Sequence, residues 1–199
     1  MKVVLASGNR GKLGELQTLL APLGLTLLSQ AELDIAGAAE TGTTFVENAI
    51  LKARHVCELS GQASIADDSG LVVTALNGEP GVYSARFAGP DANDTANNRK
   101  LLATMTNVAE RRAYFFCCMV YMRSASDPAP IVAYGSWQGE ILTVEQGSGG
   151  FGYDPIFLDS ASNMSAAELP ADMKNKVSHR GKAAAVLLEN LRKELANVA

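Results

Sequence analysis

The run from Ala113 to Arg123 constrains the fold more than any other stretch of the chain, because it is apolar almost from end to end. A continuous apolar run without polar alternation is the pattern of a central strand buried on both faces. It is too short to cross a bilayer, and no other run is long enough. Around it, the periodicities alternate. Lys2 to Ala6 starts as a short strand, and Leu13, Leu16, Leu19 and Leu20 then recur at helical spacing. Leu25 to Ser29 fits a second strand, after Pro22 and Gly24 end that helix. Thr44 and Glu47 form a capping box for a helix running through Phe45, Ala49, Leu51, Lys52, Val56 and Leu59 to about Ser60. Asn93 or Asp94 caps a helix carrying Leu101, Leu102 and Met105, and Ser178 caps a last one with Ala184, Leu187, Leu188 and Leu191 on its face. Ile131 to Trp137 and Glu140 to Val144 read as antiparallel strands around Gln138-Gly139. Ala166 to Lys174 is weakly helical and interrupted at Pro170. Strand–helix units mixed with antiparallel strands predict an α/β fold with a mixed sheet, and 199 residues suit a single domain over residues 1–199.

Composition narrows the function. A net charge of -4 argues against a general nucleic-acid binder or a membrane-surface protein, yet leaves room for a small anionic ligand at a local cluster of lysine and arginine. The first residues run straight into a strand pattern without the apolar region of a signal peptide, so the expectation is a soluble cytoplasmic protein. Cys57, Cys117 and Cys118 have no zinc-site spacing, and an odd count suits no disulfide framework. Buried, reduced thiols are the expectation.

Four polar stretches interrupt these elements. In Ile65-Ala66-Asp67-Asp68-Ser69-Gly70-Leu71, two adjacent carboxylates sit between apolar runs that read as strands, with Ser69-Gly70 as punctuation. Successive strand residues face opposite ways, so Asp67 and Asp68 point in different directions. The stretch is either a polar turn capping a hairpin or a site for a divalent metal and an activated water. Ser7-Gly8-Asn9-Arg10-Gly11-Lys12 lies between a strand and a helix, the setting in which backbone N–H groups bind anions, although its glycine spacing is not that of a Walker loop. Gly147 to Pro155 matches G-x-G-x-x-G by letter, but no helix follows. It reads instead as a flexible loop presenting Phe151, Tyr153 and Asp154, or as an ordinary surface loop. His179-Arg180 opens the last helix, where the helix dipole disfavours cations; with Lys174 and Lys176 before it, this points to an anionic partner. His55 reads as a surface or core residue. Lys12, Glu40, Lys52, Asp67, Asp68, Lys174, His179 and Arg180 together combine acids for Mg²⁺ with bases for phosphates, as a nucleoside triphosphate requires.

These stretches, with Thr44-Phe45-x-Glu47-Asn48-Ala49 and Pro80-Gly81-Val82-Tyr83-Ser84-Ala85-Arg86, resemble the inosine/xanthosine triphosphate pyrophosphatase family in order from Lys2 to the last helix. The resemblance implies an elongated α/β fold with a long mixed sheet flanked by helices, a nucleotide site in a central cleft, and a homodimer. It implies Mg²⁺-dependent hydrolysis of ITP, dITP or XTP between the α and β phosphates, giving a monophosphate and pyrophosphate. Residue by residue, Asp68 matches the catalytic base, and Glu40 and Asp68 match the metal-binding acids. Ser7, Gly8, Asn9, Arg10, Gly11, Lys12, Ser69, Phe151, Gly152, Tyr153, Asp154, Lys174, His179 and Arg180 match the substrate contacts, and Lys52 matches a phosphate-side lysine. Ser7 stands where threonine is common, and Pro170-Ala171-Asp172-Met173 is less acidic than is common there. The donors at His179 and Arg180 suit a 6-oxo purine, whose oxygen accepts where adenine's amino group donates. A nucleotide-binding module without turnover, and a related pyrophosphatase for other nucleotides, are the alternatives. Substituting Asp68 separates the first and a substrate panel the second.

Overall fold

A computed structural model describes residues 2–198 of the chain, the side chains of Arg10, Leu23 and residues 195–198 excepted. The strands are β1 (Lys2–Ala6), β2 (Thr26–Ser29), β3 (Ala63–Val73), β4 (Arg112–Met122), β5 (Ile131–Ile141), β6 (Phe157–Asp159) and β7 (Met164–Ser165). The helices are α1 (Arg10–Leu20), α2 (Phe45–Ser60), α3 (Asp94–Thr104), α4 (Ala171–Val177) and α5 (His179–Val198). One seven-stranded sheet has the order β2-β1-β3-β4-β5-β6-β7. It is mixed: β1 pairs parallel with β2 and β3, whereas β5–β6 and β6–β7 are antiparallel. The predicted central strand is indeed the middle one, and Cys117 to Met122 within β4 are all buried.

The chain forms two compact units, each with its own core. The first comprises residues 1–68, 117–135 and 180–199. Its core packs Leu16 and Leu20 of α1 and Ala184, Leu187 and Leu191 of α5 with Val3, Leu5, Ile65, Cys117 and Met119 of the strands. The apolar residues of α1 and α5 recur at helical spacing, which is why each helix has one face to bury. The second unit comprises residues 69–116 and 136–179, with Leu101 of α3 and Met105, which caps that helix, packed with Phe115, Trp137, Tyr153 and Phe157. All three cysteines are free and buried.

Helix starts follow the sequence closely. Thr44 and Glu47 make the full capping box at α2, and Asn93 accepts from the Ala96 N–H at α3. Three boundaries differ from expectation. Ser69-Gly70 does not break β3, which runs unbroken from Ala63 to Val73, so the hairpin-turn reading of Asp67-Asp68 is wrong. Gln138-Gly139 makes no hairpin either, because β5 passes straight through it. Glycine serves a different purpose there: a Cβ at residue 139 would collide with the Leu158 carbonyl oxygen and the Phe157 ring of the neighbouring strand. Gly139→Ala should therefore destabilise the fold by about 1–3 kcal/mol, read as a lowered urea midpoint at unchanged slope. Pro170 does not interrupt a helix but precedes one, since α4 begins at Ala171 with Pro170 in the cap position.

Candidate functional site

The sheet order makes β1 and β3 the place where the chain changes direction across the sheet. From β1 the chain leaves to β2 on one side and returns to β3 on the other. In open α/β sheets, ligands collect at the carboxyl ends of the strands flanking such a point. The register places Ala6 opposite Ala66, so β1 gives way to the Ser7–Asn9 loop just where β3 reaches Asp67 and Asp68. Each of these carboxylates has its own cationic partners, as strand alternation requires.

Asp67 is buried and meets two cations. Lys12 Nζ lies 3.3 Å from its Oδ2, and Arg180 reaches the same oxygen through Nη2 at 3.3 Å and Nε at 3.4 Å. Arg180 also pairs with Glu15 through Nη1. Burial works to raise the Asp67 pKa, but Lys12, Arg180 and Lys52 outweigh it and hold the carboxyl well below the usual range. Asp68 is buried as well. Lys52 Nζ donates to Asp68 Oδ1 at 2.7 Å and to Glu40 Oε1 at 3.2 Å, bridging the two acids. Burial raises the Asp68 pKa above the ordinary value, and Lys52 offsets only part of the effect. Lys52 keeps its charge despite burial, because Asp68, Asp67 and Glu40 all favour the ammonium.

Local sequence explains how Glu40 reaches this position. Gly42 donates its N–H to the buried Asn48 side chain at 2.8 Å, and Glu47 accepts the Thr43 and Thr44 N–H groups, each at 2.9 Å. The segment after Glu40 is thus pinned to the start of α2. Gly42 is required there, since a Cβ would fall 2.6 Å from Glu47 Cβ and 2.8 Å from Asn48 Oδ1. The Ser7–Lys12 stretch is only partly loop. Asn9 caps α1 by accepting the Lys12 N–H at 3.0 Å, and Ser7 Oγ accepts the Asn9 N–H at 3.3 Å. Gly8 is exposed with open space around it, and Gly11 and Lys12 already lie in the first turn of α1. Arg10 opens the helix, but its side chain lies outside the described residues. His55 has a structural partner, with Nε2 at 2.9 Å from the Ala36 carbonyl.

The second unit gathers the remaining candidates. Asp154 is buried; its Oδ2 accepts from Lys174 Nζ at 2.7 Å and from the Phe151 N–H at 2.8 Å. Lys174 Nζ also stands 5.0 Å from the centre of the half-buried Phe151 ring. His179 stacks on Phe115, with centroids 4.7 Å apart and planes 11° apart. Ser69 is half-buried within β3. Tyr153 corrects the expectation of a loop presenting three side chains. Its ring is buried in the core and its hydroxyl donates to the Ser84 carbonyl at 2.8 Å. Asp154 likewise faces Lys174 and the loop's own backbone, which leaves Phe151 as the ring the loop presents.

Asp68 Oδ2 is buried and has no hydrogen-bond partner among the described residues. A buried carboxylate oxygen in that state calls for a proton donor or a cation. Among the described residues, no three His, Cys, Asp or Glu side chains gather to hold a metal by themselves. The Glu40–Asp68 pair still fits a hard divalent cation, which accepts one or two carboxylates and completes its shell with phosphates and water. Also among the described residues, no helix is long and apolar enough to cross a membrane.

Fold and side chains together define an α/β protein with two buried, lysine-paired aspartates, Asp67 and Asp68, at the switch point of a mixed sheet. Residues 3–190 match the Ham1 family, and the chain belongs to that family. It is 55% identical over 193 residues to a protein of Pectobacterium atrosepticum named dITP/XTP pyrophosphatase, covering 96% of this chain and 98% of that one. Among solved structures, a HAM1 protein from Coxiella burnetii superposes with a TM-score of 0.91 at 44% identity, over 97% of this chain and 99% of that one. The Staphylococcus aureus Ham1 protein gives 0.87 at 38% identity, over 98% and 100%.

Proposed function

We propose that this protein hydrolyses non-standard purine nucleoside triphosphates, ITP, dITP and XTP, to the monophosphate and pyrophosphate, with Mg²⁺ as the divalent cation. The observation that carries the reading is the Lys52-bridged pair of Glu40 and Asp68, with Asp68 Oδ2 buried and unpartnered among the described residues. The name of the Pectobacterium relative, dITP/XTP pyrophosphatase, supports the substrate class and the bond cleaved. Glu40 and Asp68 would hold Mg²⁺, which when bound supplies positive charge against the phosphate oxygens.

The chain's own residues divide the remaining work. Asp68, kept above the ordinary carboxylate pKa by burial, takes a proton from the attacking water. Lys52 orients that carboxylate through Oδ1 and offsets phosphate charge. Lys12 and the start of α1, the positive end of its helix dipole, favour the phosphates. Lys174 paired with Asp154 fixes the loop that carries Phe151, whose ring stacks on the base. Ser69, next in the chain to Asp68, joins the substrate contacts, and the homodimer stays part of the proposal.

Base choice falls to the start of α5. His179 is held by its stack on Phe115, and the plane of Arg180 is set by Asp67 and Glu15. Donors there pair with a 6-oxygen and are left facing another donor by adenine, at about 1–3 kcal/mol per buried group. The test is pyrophosphate release across ITP, XTP, GTP and ATP, with and without Mg²⁺, on the wild type and Arg180→Lys. Lysine keeps a cation beside Asp67 but gives up the planar fork. The ratio of ITP to ATP turnover should fall roughly five- to a hundredfold in the variant. An equal fall for all four nucleotides would restrict Arg180 to holding Asp67. Binding of ITP without any turnover in the wild type would favour the non-catalytic module.

A further inference from the structure

Helix α3 lies outside the polar stretches that form the candidate site, yet it grips the Phe151 loop at one residue from both sides. Asp94 Oδ2 accepts the Gly152 N–H at 2.7 Å. Asn98 Nδ2 donates to the Gly152 carbonyl at 3.1 Å. The two side chains are one helical turn apart on the same face, so a single rigid element clamps both polar groups of that residue. On the other side of Phe151, its own N–H is held by Asp154, which in turn is held by Lys174. The loop needs such anchors. Gly150 and Gly152 both have positive φ, 73° and 64°, and glycine-rich backbone has the most conformational freedom to lose.

We propose that Asp94 and Asn98 are positioning residues for base recognition, fixing Gly152 from α3 and thereby the Phe151 ring on which the purine stacks. The inference rests on the nucleotide reading above and deepens it. Asp94 is the informative position because its side chain is exposed at the first turn of α3, where substitution opens no core cavity. Asp94→Asn keeps an acceptor oxygen for Gly152 and loses the charge that favours the helix start, whereas Asp94→Ala loses both. Comparing the two separates the tether from the helix dipole.

The experiment joins amide hydrogen exchange at Gly152 with steady-state kinetics on ITP. Asp94→Ala should speed Gly152 exchange and raise KM for ITP by roughly tenfold each, with kcat changed less than about twofold. Asp94→Asn should stay close to the wild type in all three. Asn98→Ala, at a buried site, should reproduce the KM change if it folds. The proposal is overturned if Gly152 exchange in Asp94→Ala matches the wild type, if kcat falls and KM does not rise, or if the asparagine variant is as impaired as the alanine one. A wild-type protein that turns over no purine triphosphate overturns the nucleotide reading and with it the role of Phe151. The Gly152 exchange rate then still decides whether the tether exists.

Discussion

Asp68→Asn should lower kcat for ITP by roughly 10²- to 10⁴-fold while leaving the urea unfolding midpoint close to the wild type. The substitution is nearly isosteric, so packing in β3 is kept, and the reason for the loss is chemical. Lys52 Nζ donates to Asp68 Oδ1 at 2.7 Å, so an asparagine must turn its carbonyl oxygen toward Lys52 to avoid setting donor against donor. That choice places the NH₂ group where Asp68 Oδ2 now lies buried. A donor there can neither accept a proton from water nor face a cation. Turnover within about threefold of the wild type in a folded variant would remove Asp68 from the mechanism.

Lys52→Met should cost roughly 10²- to 10³-fold in kcat/KM, the scale of losing one electrostatic stabiliser in a water-poor site. Methionine fills most of the same volume, so the change isolates the ammonium. Without it, Glu40 and Asp68 lose the charge that bridges them, and both carboxylates then face an incoming triphosphate uncompensated. Removing one partner of a buried pair also destabilises, by about 3–5 kcal/mol for a fully buried one, so a lowered melting temperature should accompany the kinetic loss. Steady-state rates below that melting temperature, at saturating Mg²⁺, separate the two effects. A variant that melts early but turns over ITP at the wild-type rate would make Lys52 a structural residue only.

The contrast between what could and could not be read from sequence follows the range of the interactions. Capping is local: the Thr44–Glu47 box and the Asn93 cap need only a few neighbouring residues, and both formed as expected. The apolar run of β4 likewise carried its own burial pattern. Ser69-Gly70 misled because β3 runs straight through it, and Gln138-Gly139 misled because glycine serves two purposes. It marks turns when alone, and it permits close approach when a neighbouring strand is present, as Phe157 and Leu158 are for Gly139. Only the fold tells these apart. In the site, Asp68 and Lys52 were legible from residue chemistry and from resemblance. The Glu15–Arg180 pair was not, since 165 positions separate the partners and nothing local marks Glu15. Tyr153 read as a loop residue because glycines surround it, while its ring packs into the core with distant residues and its hydroxyl donates to the Ser84 carbonyl. Asp94 was visible only as one of two candidate caps. Asn93 took that role, and Asp94 reaches instead across 58 positions to Gly152.

In the proposed reaction, Asp68 delivers water to the α phosphorus with pyrophosphate as the leaving group. The most direct measurement is hydrolysis of ITP in ¹⁸O-water with Mg²⁺, followed by mass analysis of both products. One ¹⁸O atom in the monophosphate and none in pyrophosphate is the predicted result. Label in pyrophosphate, or the release of labelled free phosphate, would place the attack on another phosphorus and contradict the account.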